Sequence, residues 1–385
     1  AGFIGSALDR IPVRSPVIAV LQGGVAMGSL HLSDPAETLA RLERARAIDP
    51  TPVTQRWLDV VETMAVARFH GSPNEALRAL DRDTEFFRSM NVPILSRPTA
   101  MVIGIRASLY LWWGYFEEAL EHWRGFDDYV AEQFGVGHSI GLSAWGRLAC
   151  LAGLGRWNEL ERALGESESG PVPVSETGIW PLYIRPAAAA LAASRGEGDT
   201  ARTIANAALA DTDGFSGQGW DLASSFSDLA NVCTWADAAE AAADLGHRAL
   251  VAAEGLRSPW LEARANAAVA RSAGDPESAD SALAAALHLS HGHALHEVWT
   301  HKDRRIAPPL LARAIERSLG PQGYAADVTA TAGAEVFAQD VELTRDAPAE
   351  VRQELYEAGR VSSTVARADL EGLARVDEPA IAGSA

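Results

Sequence analysis

The feature that most constrains this chain is a motif that recurs at near-constant intervals. In one copy, Gly114 is followed five residues later by Ala119 and nine residues later by Trp123. The same frame, a turn-forming residue with mostly small or apolar residues at the fifth and ninth positions after it, fits six further anchors: Ser33, Gly71, Gly155, Gly196, Asp237 and Gly274. The steps between anchors are 38, 43, 41, 41, 41 and 37 residues. The sequence therefore divides into seven units of about 40 residues.

Each unit has the pattern of two antiparallel helices joined by a tight turn. An amphipathic segment of helical length precedes the anchor, as in 55–69 and 99–113, and a second one follows it, as in 74–87. A glycine or short polar residue at the anchor permits the reversal, where a positive φ is often needed. The small residue at the fifth position lets the two helices approach each other closely. Asp275 before Pro276 is a typical helix start. We therefore expect an all-α fold.

Two stretches of the sequence resemble a known repeat family. GYFEEALEHW at 114–123 and ARAIDP at 45–50 resemble tetratricopeptide repeats, whose unit is about 34 residues long. The longer units here are similar to the long-repeat solenoids in the sensor regions of bacterial regulators of the LuxR and maltose-activator type. This resemblance implies a right-handed α-solenoid of about seven helical hairpins over residues 1–318. It also implies that the first helix of each hairpin lines a concave, ligand-binding face.

Residues 319–385 differ in character from the repeats. The segment 325–342 alternates β-branched and small residues, which suggests a short strand hairpin. Residues 346–359 have the pattern of one more helix, and the remaining residues are small and polar. We expect 319–385 to be a small C-terminal appendage, a cap or linker that is partly disordered.

Composition excludes several classes of function. The formal net charge of −18 argues against broad binding to a nucleic-acid backbone. The single lysine, Lys302, is not part of a G-x-x-x-x-G-K-[ST] phosphate-binding loop. The apolar stretch 17–30 is shorter than the roughly 20 residues that span a bilayer. We expect a cytoplasmic protein that binds neither nucleic acid nor membranes, with Cys150 and Cys233 as small buried thiols.

Three motifs resemble catalytic or metal sites, but each lacks the context that its chemistry requires. GHSIG at 137–141 matches the G-x-S-x-G pattern around Ser139, although no hydrophobic strand precedes it. The acidic run DDYVAE at 127–132 resembles the metal cluster of isoprenoid cyclases without their second acidic motif. The histidine-rich segment 288–305 offers imidazole groups for zinc, but not at a known ligand spacing. We therefore predict no catalytic residue, no metal site and no cofactor.

The candidate binding residues are those that the predicted geometry places on the inner face. They lie about 13, 10, 6, 3 and 2 residues before an anchor. Aromatic, arginine and small polar side chains at such positions would suit a peptide, a carbohydrate or an anionic metabolite. In a tightly wound superhelix, however, about half of them would instead pack against neighbouring helices. The candidates are Arg68, Phe69, Met101, Trp112, Trp145, Tyr183, Ser227, Asn231, Trp235, Arg264 and Arg271.

The sequence favours a non-catalytic helical-repeat module that binds a protein, a peptide or a small effector. The resemblance suggests the sensor or scaffold part of a bacterial regulatory protein. The competing class is an all-helical toroid enzyme, either similar to isoprenoid cyclases or glycoside-active with Trp112, Trp145 and Trp180 as sugar platforms. Closure distinguishes the two classes, because first and last hairpins packed together around an acidic funnel would favour the enzyme.

Overall fold

The structure is a computed structural model, and it describes residues 16–31, 35–49, 51–69, 73–89, 97–134, 143–168, 180–211 and 219–329. Every regular element within these ranges is a helix, and none is a strand. The prediction of an all-α fold is therefore confirmed. None of the helices in these ranges combines the length and the apolar character needed to cross a membrane.

The helices follow one another with short connections in most places. They are α1 (Pro16–His31), α2 (Pro35–Ile48), α3 (Pro52–Phe69), α4 (Pro73–Ser89), α5 (Arg97–Trp113), α6 (Phe116–Phe134), α7 (Ala144–Leu154), α8 (Trp157–Glu168), α9 (Trp180–Ser194), α10 (Gly198–Ala210), α11 (Gly219–Trp235), α12 (Ala239–Leu256), α13 (Pro259–Ser272), α14 (Pro276–Gly292) and α15 (Ala307–Arg317). A π-helical segment, Val298–Lys302, lies between α14 and α15.

The helices fall into two groups according to what they contact. From α1 to α13, each odd-numbered helix packs on the next odd-numbered helix, so that these helices form one continuous layer. Each even-numbered helix packs on the odd-numbered helix that precedes it in the chain. Further contacts join α1 to α11 and α3 to α13. The layer of odd-numbered helices therefore curls back on itself, and its members are buried on several sides.

Four of the seven predicted turn anchors have the positive φ that the sequence argument expects, and Ser33 and Gly71 lie outside the described residues. Gly114, Gly155 and Gly196 have φ values of +86°, +70° and +75°, and Asp237 has a φ of +52°. Each of the four sits between the first and second helix of its unit, where the chain reverses. Gly274 does not have a positive φ. The residue after it, Asp275, caps α14 by accepting a hydrogen bond from the backbone N–H of Ser278 at 2.8 Å.

The fifth and ninth positions after the anchors lie where the two helices of a unit meet. All fourteen residues at these positions fall in the described ranges. Thirteen of them are buried, and Leu164 is half-buried. The largest is Trp123, whose ring lies edge-on to Trp145 at 5.5 Å between centroids. It also lies over Gly146, where a Cβ would come within 2.3 Å of the indole. The aromatic run around Gly114 is therefore helix packing.

The end of the described chain is helical, against expectation. Residues 324–329 continue as helix, so the strand expected from 325 onward is wrong for 325–329. The reason is that Ala325 and Val328 lie on one face of a helical turn and are both buried. The ring of Tyr324 packs between His291 and His296, at 5.1 and 5.6 Å between centroids. These two histidines of the 288–305 segment therefore surround a phenol ring.

Both cysteines are free thiols in the core, as the sequence suggested. Burial raises the pKa of both, that of Cys233 to about 12. Because the thiolate is the reactive form, we predict that iodoacetamide at pH 8 modifies neither thiol in the folded chain and both in urea. Mass spectrometry of the alkylated peptides measures this. Fast labelling of either thiol without urea would contradict the packing of α7 or α11.

Candidate functional site

The guanidinium of Arg68, at the end of α3, fills a slot in the molecular interior. It lies between the rings of Trp112 and Trp220, with its central carbon 4.5 Å from each ring centroid. A terminal nitrogen is 3.1 Å from the carboxylate of Asp221. The side chains of Arg68 and Asp221 are both 0% exposed. The slot is thus an aromatic and acidic cation site that the chain occupies with its own arginine.

The backbone carbonyl group of Arg68 also has two hydrogen-bond donors. Its carbonyl oxygen accepts hydrogen bonds from the indole N–H of Trp220 at 3.2 Å and from the hydroxyl of Ser258 at 3.1 Å. Trp220 lies at the start of α11, and Ser258 lies directly before α13. These bonds join the end of α3 to helices more than 150 residues later, which is where the layer of odd-numbered helices curls back on itself.

Tyr183 of α9 joins the same cluster. Its hydroxyl donates a hydrogen bond to Asp221, and its ring packs on Trp145 at 4.1 Å between centroids. Burial, together with the nearby carboxylate of Asp221, raises the pKa of Tyr183 well above its ordinary value. The phenol therefore stays neutral and acts as a hydrogen-bond donor to Asp221.

A second buried cluster surrounds Arg264 of α13. Its guanidinium binds Asp303 through two nitrogens, at 2.8 and 2.9 Å. The same guanidinium binds Asp228 at 2.5 Å and the hydroxyl of Ser224 at 3.1 Å. The ammonium of Lys302 lies 3.5 Å from the other oxygen of Asp228. Three helical elements, α11, α13 and the π-helical segment, meet in this cluster together with the turn that follows the π-helix.

Burial and charge act in opposite directions on the ionisable groups of this cluster. Burial favours the neutral form of Asp228, but the cations Lys302 and Arg264 outweigh it, so the pKa of Asp228 is lowered. Burial lowers the pKa of the Lys302 amine, and Asp228 opposes that effect. At neutral pH Asp228 is therefore a carboxylate. The same carboxylate offsets part of the cost that burial imposes on the charged form of Lys302.

The two clusters border a cavity of about 100 Å³. Its walls are formed by α7, α9, α11 and residues 302–306. Phe116, the first residue of α6, also lines it. The polar and aromatic residues of the wall are Phe116, Tyr183, Asp228, Asn231, Trp235, Lys302, Asp303, Arg304 and Arg305. About a third of the Asp228 side chain is accessible, which agrees with its place in this wall. At this position in the inner layer, a small molecule can contact charged groups.

Two arginines form the wall next to α7. Arg304 donates to the carbonyl oxygen of Gly153 at 3.1 Å, and Arg305 donates to that of Ala152 at 3.0 Å. Both acceptors belong to the last turn of α7, whose carbonyl groups carry the negative end of the helix dipole. The guanidinium of Arg305 also lies 4.8 Å from the ring centroid of Trp235. These contacts fix two cations at the edge of the cavity.

The structure brings together most of the residues predicted from the sequence. Arg68, Trp112, Trp145 and Tyr183 share the first cluster, and Asn231, Trp235 and Arg264 belong to the second cluster or the cavity wall. Five of these seven residues are buried, and Tyr183 and Trp235 are half-buried.

The remaining predicted residues lie elsewhere. The hydroxyl of buried Ser227 donates within α11, to the carbonyl oxygen of Ala223 at 2.9 Å. Arg271 is half-buried near the end of α13 and lies outside the cavity wall. The side chains of Phe69 and Met101 lie outside the described part of the structure.

Sequence reasoning missed the partners of these residues. Asp221, Asp228 and Asp303 hold the buried arginines, and Lys302 to Arg305 supply one wall of the cavity. The acids of α11 were not selected because the inward positions were chosen for aromatic and basic residues. A usable signal was present in HKDRR at 301–305, where the only lysine of the chain is followed by an acid and two arginines.

Only parts of the other motifs lie in the described ranges. Ser139 and its GHSIG motif lie outside those ranges. Asp127 accepts a hydrogen bond from the hydroxyl of Ser143, and Asp128 is exposed. No group of three or more His, Cys, Asp or Glu residues in the described part is arranged to hold a metal ion.

The chain was compared with known proteins. No protein-family model matches it, and no curated protein matches it either.

Proposed function

We propose that this chain is a right-handed α-solenoid of seven helical hairpins within residues 1–318, and that it binds a small effector without catalysing a reaction. The near-constant period, the positive φ at four anchors and the buried fifth and ninth positions support the repeat. The contacts of α1 with α11 and of α3 with α13 support a tight coil, in which units five hairpins apart touch. The class of protein we propose is the sensor part of a bacterial regulatory protein in the cytoplasm, where free thiols persist.

A small effector fits this fold better than a peptide or a protein partner on the inner face. Arg68, Trp112 and Arg264, which would line an open concave surface, are 0–5% exposed. Their polar groups already bind Asp221 and Asp303. A peptide would have to break these buried ion pairs, which is strongly unfavourable. The cavity requires no such rearrangement.

The observation that carries the proposal is the cavity between α7, α9 and α11, whose wall combines apolar helix faces with converging charged groups. Ligand sites in proteins are typically concave, mostly apolar and equipped with a few placed polar groups. Three residues predicted for binding, Tyr183, Asn231 and Trp235, are in this wall.

The test is to fill the cavity and compare binding with that of a matched variant. Ala149 lines the cavity from α7, and leucine at this position would occupy much of the space. Ala188 on α9 is half-buried as well but is not part of the wall. In a thermal-shift screen of organic acids, sugars, nucleotides and peptides, we expect Ala149→Leu to weaken the wild-type hit at least tenfold. Ala188→Leu should leave the affinity unchanged. A hit that both variants bind equally well would place the site elsewhere.

The contacts between distant units would also be expected of an all-helical toroid enzyme. The contacts of α1 with α11 and of α3 with α13 are also what a closed toroid would show. A glycoside hydrolase, however, needs one carboxyl group with a raised pKa as its acid. Here Asp228 has a lowered pKa, and Arg264 binds both Asp228 and Asp303. These charges suit recognition of a ligand better than proton transfer to it.

A further inference from the structure

The amine of Lys302 lies close to two other side chains of the cavity wall. Its nitrogen is 3.5 Å from Asp228 Oδ2 and 5.5 Å from the ring centroid of Phe116. All three residues line the cavity. The side chain of Asp228 is 32% exposed, and that of Lys302 is 8% exposed. The only lysine of the chain is therefore mostly buried, with its amine beside a carboxylate that a small molecule can reach.

The positive charge of Lys302 is part of the balance within the second cluster. Arg264 binds Asp228 at 2.5 Å and Asp303 at 2.8 Å, and Lys302 adds a second cation to these two carboxylates. A reaction that removed this charge, such as acylation, would leave the buried carboxylates with one cation fewer, which is unfavourable. Condensation with an aldehyde keeps the charge, because a protonated imine is also a cation. The cluster therefore favours imine formation over acylation.

The surroundings of the amine also make it a better nucleophile. Burial lowers the pKa of Lys302, and Asp228 opposes this effect only in part. Near neutral pH, the neutral amine is therefore more populated than in an exposed lysine. A desolvated lysine beside another cation, here Arg264, is a typical partner for carbonyl compounds. The pKa of Asp228 is lowered, so its carboxylate can serve as the counter-ion of the protonated imine.

Other parts of the cavity wall suit a hydrocarbon chain. Ala149 of α7, Ala187 and Ala190 of α9, and Val232 of α11 contribute small apolar side chains. An aldehyde with a short hydrocarbon chain can contact these side chains while its carbonyl carbon meets the amine of Lys302.

We propose that this cavity binds a short-chain aldehyde covalently and reversibly, as an imine of Lys302. The lone pair of the neutral amine attacks the carbonyl carbon, a C=N bond replaces the C=O bond, and the oxygen leaves as water with both hydrogens of the amine. The imine then takes up one proton and pairs with Asp228. Ammonium and aldehyde thus give iminium and water, with no oxidation and no net change in protons. This inference rests on the proposed function, because it names the chemical class of the effector for the same cavity.

Reductive trapping with butanal and cyanoborohydride at pH 7 tests the imine. Cyanoborohydride converts the imine into a stable secondary amine, which peptide mass spectrometry detects. Arg124 on α6 is exposed, so Arg124→Lys supplies an ordinary surface lysine in the same molecule as a reference. We expect Lys302 to be alkylated about tenfold faster than this reference lysine, as befits a desolvated amine that a ligand can reach. A lysine that is only structural would react more slowly than the reference, because its burial would shield it. Alkylation of Lys302 no faster than the reference would overturn the inference.

The cavity-filling variant shows whether the aldehyde reaches Lys302 through the cavity. Ala149→Leu should slow the alkylation of Lys302 several-fold, whereas Ala188→Leu should leave its rate unchanged. Fast alkylation in both variants would mean that the amine reacts outside the cavity, and this result would also overturn the inference.

Calorimetry without a reductant measures the reversible step. We expect the wild type to bind butanal at least tenfold more tightly than Lys302→Arg, which keeps the cation but cannot form an imine. The alcohol 1-butanol, which has no carbonyl group, should bind both proteins equally. A melting curve confirms that Lys302→Arg is folded. Equal affinity of the two proteins for butanal would contradict the imine.

The outcomes separate this inference from the proposed function. If Lys302 fails the trapping test but another ligand from the thermal-shift screen loses affinity in Ala149→Leu, the cavity remains a binding site and only the aldehyde is wrong. If Ala149→Leu affects neither the trapping nor any ligand, the proposed function fails together with the inference.

Discussion

Replacing Arg68 by alanine should lower the free energy of unfolding by about 3–5 kcal/mol, the cost typical of removing one partner from a buried ion pair. The variant removes the guanidinium, which lies 3.1 Å from the carboxylate of Asp221. Neither side chain of this pair is exposed to solvent. It also empties the space between Trp112 and Trp220, whose rings each lie 4.5 Å from the guanidinium carbon. Urea denaturation followed by tryptophan fluorescence and circular dichroism measures the change.

A surface ion pair provides the control for Arg68. Arg185 on α9 pairs with Asp211 directly after α10, and the Asp211 side chain is 55% exposed. Because exposed pairs contribute little, Arg185→Ala should cost about 1 kcal/mol or less. A loss for Arg68→Ala no larger than that for Arg185→Ala would contradict the buried role of the first cluster.

The local part of this fold could be predicted from the sequence. Helix length, the turn anchors and the residues packed between paired helices all depend on neighbours within about 40 residues. The repeated spacing records those contacts directly. Gly114, Gly155, Gly196 and Asp237 were expected to reverse the chain, and they have the left-handed φ that such a reversal uses. The ninth position after an anchor also indicates why Trp123 is buried. Its contacts with Trp145 and Gly146 join α6 to α7, the first helix of the next unit.

The curvature of the layer could not be predicted in the same way. Small rotations between successive hairpins accumulate along a helical repeat, so a slight change in each decides whether distant units meet. Arg68 and Asp221 are 153 residues apart, and no local pattern marks them as partners. Several residues at the predicted inward positions lie close together in the structure. The sequence did not indicate whether these residues would form an open surface or fill the interior. That outcome depends on contacts between distant units, such as the contact of α3 with α13.

The repeat pattern predicts only some of the residues that line the cavity. Asn231 and Tyr183 occupy ordinary inward positions on α11 and α9, and the frame selected both. Lys302 to Arg305 belong to a segment that follows the seventh unit and includes the end of a π-helix. They have no counterpart in the other units, so repetition gave no reason to select them. The π-helical turn places these residues across from α5 and α7, which the sequence pattern alone does not indicate.

The turn at Gly114 lies directly against the backbone of residues 301 and 302. Gly114 has a φ of +86°, and a Cβ at this position would lie 2.4 Å from the backbone nitrogen of Lys302 and 2.6 Å from the carbonyl carbon of His301. Both are backbone atoms, which cannot move aside by changing a rotamer. Gly114→Ala should therefore lower the free energy of unfolding by about 3–5 kcal/mol, from the left-handed backbone and from overpacking together. Thermal and urea denaturation measure the loss.

Gly196→Ala separates these two causes. Gly196 has nearly the same φ, +75°, but a Cβ there would meet nothing within 4 Å. Its replacement should cost only about 1–2 kcal/mol, the penalty of the left-handed conformation for an alanine. Equal losses for the two variants would show that the turn after α5 does not touch the 301–302 backbone. Because that backbone carries Lys302 into the cavity wall, folded Gly114→Ala protein should also bind the effector more weakly, whereas Gly196→Ala should bind it as the wild type does.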